Sequence, residues 1–415
     1  MQSVILSFDA VFHREISSTR SSERYVLVTI LCLLIIWNYW VPEFLYSPAV
    51  AFFGSGHPDF NIFYNAGWLW LHGEQNPYTL ILIGKYVYPP PSLPFFGLYA
   101  LLNIVLAAQV WMVTYFVLFI VALVVLALPM ERERRSFFVS ITSLLFFTSF
   151  PLLIMMALGQ SDLFISSLAL LSLAALRLKR VTASAILLSA ATLMKGPPIF
   201  LLIYFAVYRR DLNYLLRFIA SIAGIVLVSL LVIPTRVYYS YFVIVAPMMS
   251  IAAPAEMNES ITGVLAMAGM SNLSSIVALV GFGLFGSFAF YVGSKKLNVS
   301  RDLNLRDDAL FVMNVLIMLA LGPRSWPANY VWVILPVALL VSGLITKHVK
   351  TLFLISMGIA AFLLNASLTQ RFLNYSMLPS MLPFALAGNV IMILMLIPAC
   401  IRPSILGLRS EIASK

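Results

Sequence analysis

This chain reads as an all-α polytopic membrane protein. Of its 415 residues, 61% are apolar and 10% are charged, and its mean hydropathy is +0.97. Runs of about 20 apolar residues, long enough to cross a hydrocarbon core as a helix, recur along it. A soluble chain of this size carries about 25% charged residues. The composition therefore excludes a soluble enzyme and, by the same numbers, a disordered chain. No internal repeat or low-complexity tract stands out.

Apolar runs between charges and breakers fall at 25–46, 105–129, 137–157, 162–178, 181–194, 197–208, 213–233, 273–293, 308–322, 330–346, 351–368 and 381–401, about 12 transmembrane or broken helices in one domain over 1–415. Two of them, 181–194 and 197–208, are too short to cross alone. They are expected to form a broken pair that enters and returns on one side around Lys195-Gly196-Pro197-Pro198. The pair 137–157 and 162–178 is expected to behave similarly around Gly159-Gln160-Ser161-Asp162.

Orientation follows from where the basic residues fall. Of 26 Lys and Arg, 21 lie in the tail 1–24, in 130–136, 177–180, 209–217, 295–306 and 347–350, and in the tail 402–415. Lys85, Lys195, Arg236, Arg324 and Arg371 fall on the other side or in the interior. This division predicts both termini in the cytoplasm of a multi-pass inner (plasma) membrane protein. It also makes the net charge of +10 a topology signal with membrane-lipid contact, not a nucleic-acid footprint. Nothing in the polar first 24 residues resembles a cleaved signal peptide.

Two long outer loops follow, 47–104 and 234–272. In the first, Phe60, Phe63, Tyr64, Trp68 and Leu71 recur at helical spacing, which suits a helix lying in the membrane interface. The second is aromatic-rich, with Tyr238, Tyr239, Tyr241 and the stretch Asn258-Glu259-Ser260. Loops of this size usually carry function. A short extra helix within 85–110 is also open.

Ionisable groups at or within a membrane are costly and mark candidate sites. On the outer side the acids are Glu43, Asp59, Glu74, Asp162, Glu256 and Glu259. Asp59, after His57-Pro58 at the start of the interfacial helix, reads two ways: as an N-cap, or as a carboxylate that takes a proton from a hydroxyl nucleophile. Lys195 and Arg324 each sit at the outer end of an apolar run, as interface anchors or as phosphate ligands; Arg371 and Arg236 are weaker candidates of the same kind. Gln160 either caps the helix beginning at Asp162 or hydrogen-bonds a sugar.

Several chemistries are missing. There is no Gly-x-x-x-x-Gly-Lys-Ser/Thr loop, no Asp-x-Asp pair in the outer loops, no His-Glu-x-x-His and no Gly-x-Ser-x-Gly elbow. The two cysteines, Cys32 and Cys400, lie inside apolar runs, and His13, His57, His72 and His348 show no paired metal-ligand spacing.

Asp59-Phe60 followed by Tyr64, Ala66, Gly73 and Pro77-Tyr78 resembles the first outer loop of polyprenol-phosphate-mannose-dependent α-(1→2)-mannosyltransferases of the GT-C superfamily (PimE-like). Tyr88-Pro89-Pro90, Gly159-Gln160, Lys195-Gly196-Pro197-Pro198, Asn258-Glu259-Ser260-Ile261-Thr262-Gly263 and Ser325-Trp326 match in order. Six ordered motifs are fairly specific together, and they cover about residues 59 to 336. The resemblance implies a GT-C glycosyltransferase fold and a polyprenyl-phosphate sugar donor. It implies a glycolipid or glycan acceptor, with Asp59 as catalytic base in an inverting reaction that uses no metal and no cofactor. Donor phosphate would meet Lys195, Arg324 and Arg371. Sugar or acceptor would meet His57, Tyr64, Tyr78, Gln160, Asn258, Glu259, Trp326 and Asn329. His57 also reads as a solvated loop histidine, and Trp68, Tyr78 and Trp326 as interface anchors.

Two positions depart from that family. Asn329 and Tyr330 stand where a histidine often follows Ser-Trp, and Asp162 stands where asparagine is common. Within the glycosyltransferase class the rival is a pentose (arabinofuranosyl) transferase. From another class the rival is a lipid-sugar transporter or flippase, which should show paired halves, and a structural scaffold would leave Asp59 replaceable.

Overall fold

The computed structural model of the chain describes residues 57–73, 76–78, 86–147, 149–255, 258–295, 300–345 and 384–401. The expected spans 25–46 and 351–368, both tails (1–24 and 402–415), Glu43, Glu74, Lys85, Glu256 and Arg371 lie outside them. Among the described residues there is helix and no strand.

The described chain opens on α1 (Pro58–His72), the helix that the spacing of Phe60, Phe63, Tyr64 and Trp68 predicts. A 3₁₀ turn over Pro90–Ser92 leads into α2 (Leu93–Tyr99), the short extra helix that 85–110 left open. Then follow α3 (Ile104–Ala127), α4 (Arg132–Phe147), α5 (Phe150–Leu158), α6 (Asp162–Arg177) and α7 (Val181–Met194). The segment 197–208 winds as 3₁₀ over Pro197–Leu201 and then as π-helix over Ile203–Tyr208. After it come α8 (Leu212–Leu230), α9 (Thr235–Ser240), a π-helical turn over Tyr241–Val245, α10 (Ala246–Ser250), α11 (Ile261–Met267), α12 (Ser271–Ser294) and α13 (Ser300–Leu321). A 3₁₀ stretch over Pro327–Val333 runs into α14 (Ile334–Ile345), and α15 (Phe384–Ile401) closes the described chain.

Four of these are long and apolar enough to cross a membrane unaided: α3, α8, α12 and the continuous Pro327–Ile345 rod. The last is almost wholly buried, as is α13 beyond its first turns, so these two form the bundle's centre. By contrast, α8 and α12 expose Leu216, Leu227, Val228, Leu279 and Leu284, the surface expected against lipid tails.

The run 137–157 departs from the sequence expectation by breaking. Ser149 caps α5, accepting from the Leu152 N–H at 3.1 Å, and Pro151 sits in its first turn; α4 and α5 meet at 59°. The irregular 197–208 segment follows from Pro197 and Pro198, which cannot continue α7. Asn314 of α13 repairs the exposed backbone there: its Oδ1 accepts the Tyr204 N–H at 2.9 Å and its Nδ2 donates to the Phe200 carbonyl at 3.2 Å. Buried breaks need such partners, because no water reaches them.

Charges sort to the two ends. At one end, Arg134 and Arg177 each donate to a different oxygen of the buried Asp308, while Tyr208 and Arg209 reach Asp307. From there α6 runs back to Asp162. At a rise of about 1.5 Å per residue its 16 residues cover roughly 24 Å. α7 returns beside it, joined by Ser172 Oγ donating to the Ser184 carbonyl at 2.8 Å, so that Lys195 arrives next to Asp162. The 197–208 segment then goes back to the Asp307 end. The pair around Lys195-Gly196-Pro197-Pro198 therefore leaves the Asp307 end and returns to it, with its apex beside Asp162.

Candidate active site

Two backbone constraints assemble the site. α5 ends on Gly159, whose φ of +69° is a left-handed cap, and the Trp111 indole N–H holds its carbonyl at 3.0 Å. A Cβ on Gly159 would lie 2.6 Å from the Cβ of Phe60 and 3.0 Å from that of His57. Only glycine lets the start of α1 approach the turn this closely. The second close approach is between α1 and α2, where a Cβ on Gly67 would lie 2.6 Å from the Gly97 nitrogen.

With α1 so placed, the Gln160 side-chain amide donates to an Asp59 carboxylate oxygen. Gln160 Oε1 in turn accepts from the Tyr88 hydroxyl at 3.3 Å, and that hydroxyl also pairs with Ser161 Oγ at 2.8 Å. Burial pushes the Asp59 carboxyl above its ordinary value. The Gln160 hydrogen bond and the Lys195 charge oppose the shift, and the Asp162 charge adds to it. Asp59 is not the N-cap that the sequence allowed: His57 holds that position, and no side chain caps the helix.

Asp162 opens α6, where unpaired N–H groups and the helix dipole favour an anion. It is 1% exposed. One oxygen accepts from Lys195 Nζ at 2.7 Å and the other from the Trp332 indole N–H at 2.9 Å. Arg324 donates Nη2 to the Met248 carbonyl at 2.9 Å, and burial lowers its pKa; its buried Nε has no partner among the described residues.

These groups line a cavity of about 610 Å³. Its polar side carries Asp59, Gln160, Asp162, Lys195, Arg324 and Asn329, with Tyr88, Trp326 and Trp332 among them. Its apolar side is a groove formed by Ile199, Phe200, Leu279, Phe282, Met318 and Leu321, with Phe200 and Phe282 stacked 3.9 Å apart. Leu279 and Ile199 line the groove and are also exposed, so it opens toward the exposed side of α12.

Asp59, Gln160, Lys195, Arg324, Trp326 and Asn329 are thus brought to one cavity. The other candidates among the described residues stand elsewhere. Tyr64 donates to the Leu102 carbonyl at 2.8 Å, tying α1 to the loop after α2. Tyr78 donates to the Tyr88 carbonyl at 2.6 Å. Both brace the site from behind and do not line it. His57 is buried at 4% exposure and not solvated, and its Nδ1 has no partner among the described residues.

Asn258 spends its whole amide on structure. Nδ2 donates to the Ala253 and Pro323 carbonyls, each at 2.9 Å, and Oδ1 accepts from Ser260 Oγ and the Ser325 N–H. Ser260 caps α11, and Thr262 donates to the Gly322 carbonyl at 2.6 Å. The Asn-Glu-Ser-Ile-Thr-Gly stretch is therefore a strut that sets Gly322–Trp326 in place. Glu259 lies in it, 8% exposed and away from the cavity, and burial pushes its carboxyl up to about 8.

Reading the sequence missed Trp332, the bridging role of Tyr88 and the aromatic groove. Trp332 and the groove residues sit in apolar runs that look like any span, and only the Tyr88-Pro89-Pro90 motif drew attention to its neighbourhood.

No curated protein matches the chain, and no solved structure does. A family profile does match: it covers residues 86–323, more than half the chain, taking in Tyr88, Gln160, Asp162, Lys195 and the strut and ending just before Arg324. With this match on an all-α polytopic bundle of the GT-C kind, the chain belongs to glycosyltransferase family 87.

Proposed function

We propose that this glycosyltransferase moves a mannose-like sugar from a polyprenyl-phosphate donor to a hydroxyl of a glycolipid or glycan, with Asp59 as general base and inversion at the anomeric carbon. The observation that carries the reading is one cavity that holds two carboxylates, half-buried Asp59 and buried Asp162, and two cations on its polar side, with an aromatic groove open to the exposed side of α12 on the other. Such a shape suits an amphiphile with a phosphate head and a long apolar tail.

The acceptor hydroxyl gives its proton to Asp59 as its oxygen attacks the anomeric carbon in line. The raised pKa strengthens Asp59 as a base. The carbon–phosphate-oxygen bond breaks on the opposite face, and charge develops on the leaving phosphate. Arg324, with no acidic partner among the described residues, and Lys195 are preorganised to stabilise that charge. Arg371, outside the described residues, is assigned to the same task from the sequence. Trp326 offers a face for the sugar ring, and Asn329, whose Oδ1 accepts the Trp326 N–H at 2.7 Å, sets the local turn. The cluster of Arg134, Arg177 and Arg209 at the far end of α6 supports a cytoplasmic placement of that end, with the cavity on the outer face of the inner membrane and both termini inside.

The test is transfer by purified protein in lipid nanodiscs from polyprenyl-phosphate carrying radiolabelled mannose, with a membrane lipid extract as acceptor pool. Label entering a glycolipid with wild type, and not with an equally stable Asp59→Asn variant, is expected. Transfer by both proteins removes Asp59 from the centre. Transfer from a pentose donor alone moves the sugar assignment to the arabinofuranosyl class.

A further inference from the structure

The base stands at the end of a directed chain of donors. Gln160 presents an amide to Asp59, and an amide has two faces: Nε2 toward Asp59 donates and stabilises the carboxylate, whereas Oε1 toward Asp59 repels it. What decides between them is the other end of the amide, and there the Tyr88 hydroxyl meets Oε1 at 3.3 Å. Ser161 Oγ sits 2.8 Å behind that hydroxyl.

Resting on the reading of Asp59 as the base, we propose that Tyr88 is a positioning residue for catalysis: it locks the Gln160 amide with Nε2 on Asp59 and so sets the pH at which the base becomes available.

The surroundings of Tyr88 suit that task. Its ring is held edge-on by Phe63 at 4.7 Å and flanked by Tyr86 at 5.8 Å and Phe96 at 6.1 Å, so the hydroxyl cannot swing away. Tyr78 clamps its backbone carbonyl at 2.6 Å, and Ser92 donates to the Pro89 carbonyl at 2.6 Å, which closes the turn behind it. Burial near Asp162 and Asp59 keeps its phenol protonated, well above the ordinary tyrosine range, so it stays a donor throughout the working range. Ser161 then donates to Tyr88, Tyr88 to Gln160, and Gln160 to Asp59, each link polarising the next.

Removing the hydroxyl frees the amide to turn, weakens the bond on the carboxylate and raises the pKa of Asp59. The experiment reads that pKa without relying on turnover. The protonated-carboxyl infrared band of Asp59, isolated as wild type minus Asp59→Asn, is titrated in wild type, Tyr88→Phe and Gln160→Leu in nanodiscs. Tyr88→Phe keeps the ring contacts. Its titration midpoint is expected to rise by up to about one pH unit, a tenfold change, as for a lost charge-assisted hydrogen bond, in the same direction as Gln160→Leu. The acid limb of the sugar-transfer profile should move with it. A ring-fluorinated tyrosine at 88, a stronger donor of nearly the same shape, should move the midpoint down and serves should Tyr88→Phe fail to fold.

Midpoints that coincide in wild type and both Tyr88 variants, while Gln160→Leu shifts, overturn the proposal. Shifted midpoints with no transfer from any lipid-linked sugar leave this wiring standing and sink the catalytic reading on which it rests.

Discussion

The Asp162–Lys195 pair should be asymmetric when it is broken, because its partners differ in access to water. Asp162 is 1% exposed, whereas the Lys195 side chain is 22% exposed. Lys195→Met leaves a carboxylate in the protein interior with only the Trp332 indole and the start of α6 to offset its charge. Removing one partner of a buried pair costs about 3–5 kcal/mol, and the helix start returns up to about 1 kcal/mol. Asp162→Asn keeps an acceptor for Trp332 and strands a cation that solvent can still reach, so about 1–2 kcal/mol is expected after discounting for screening. The double variant strands neither charge. It should cost less than Lys195→Met alone, with a coupling of about 2–3 kcal/mol. Reversible denaturant unfolding of the four proteins in one detergent measures this cycle. Single effects that sum in the double variant, or a Lys195→Met cost below that of Asp162→Asn, would refute the idea that burial of Asp162 governs the pair.

At the opposite end, Asp308→Asn takes from Arg134 and Arg177 the buried carboxylate to which both are bound. It should destabilise the protein by about 3 kcal/mol or more in the same unfolding assay, with sugar transfer per folded molecule unchanged. Gly159→Ala forces a side chain into a left-handed backbone and into contact with Phe60. A cost of about 1–2 kcal/mol and a turnover loss larger than the stability loss explains are expected, because Asp59 is pushed from Gln160. Glu259 holds its proton up to about pH 8 when folded, against an ordinary value near 4.5. Its contribution to stability is thus complete below about pH 4.5 and is lost as pH rises to about 8. Glu259→Gln should flatten the fall of Tm across that window, and an unchanged slope would show that another group is responsible. Finally, the acid limb of the transfer profile should lie above the ordinary aspartate value, since burial raises Asp59.

The order of residues along the chain dictates its solvent and its grain. Apolar run lengths place helices in a bilayer whatever their neighbours, and the Pro197-Pro198 pair marks where regular helix must stop, whereas the break before Pro151 inside the run 137–157 showed only in the fold. The spacing of Phe60, Phe63, Tyr64 and Trp68 made α1 legible for the same local reason. Asp59, Gln160, Lys195 and Arg324 stood out because charge and amide groups are costly among apolar runs. Local reasoning could not say which polar residues face one another. Asn258 and Glu259 stood beside Asp59 as candidates, for sugar or acceptor binding, yet the first is consumed by four hydrogen bonds, two of them to a loop some 65 positions away, and the second is walled off from the cavity. The difference between them and Asp59 rests on contacts of long sequence separation, which follow from how α5, α6 and α7 return past one another. Packing in three dimensions was needed to set Tyr88 behind Gln160 and Trp332 behind Asp162, and to open an aromatic groove beside the charges. A hydrogen bond or a groove wall exists only when packing brings its two halves within about 3–4 Å.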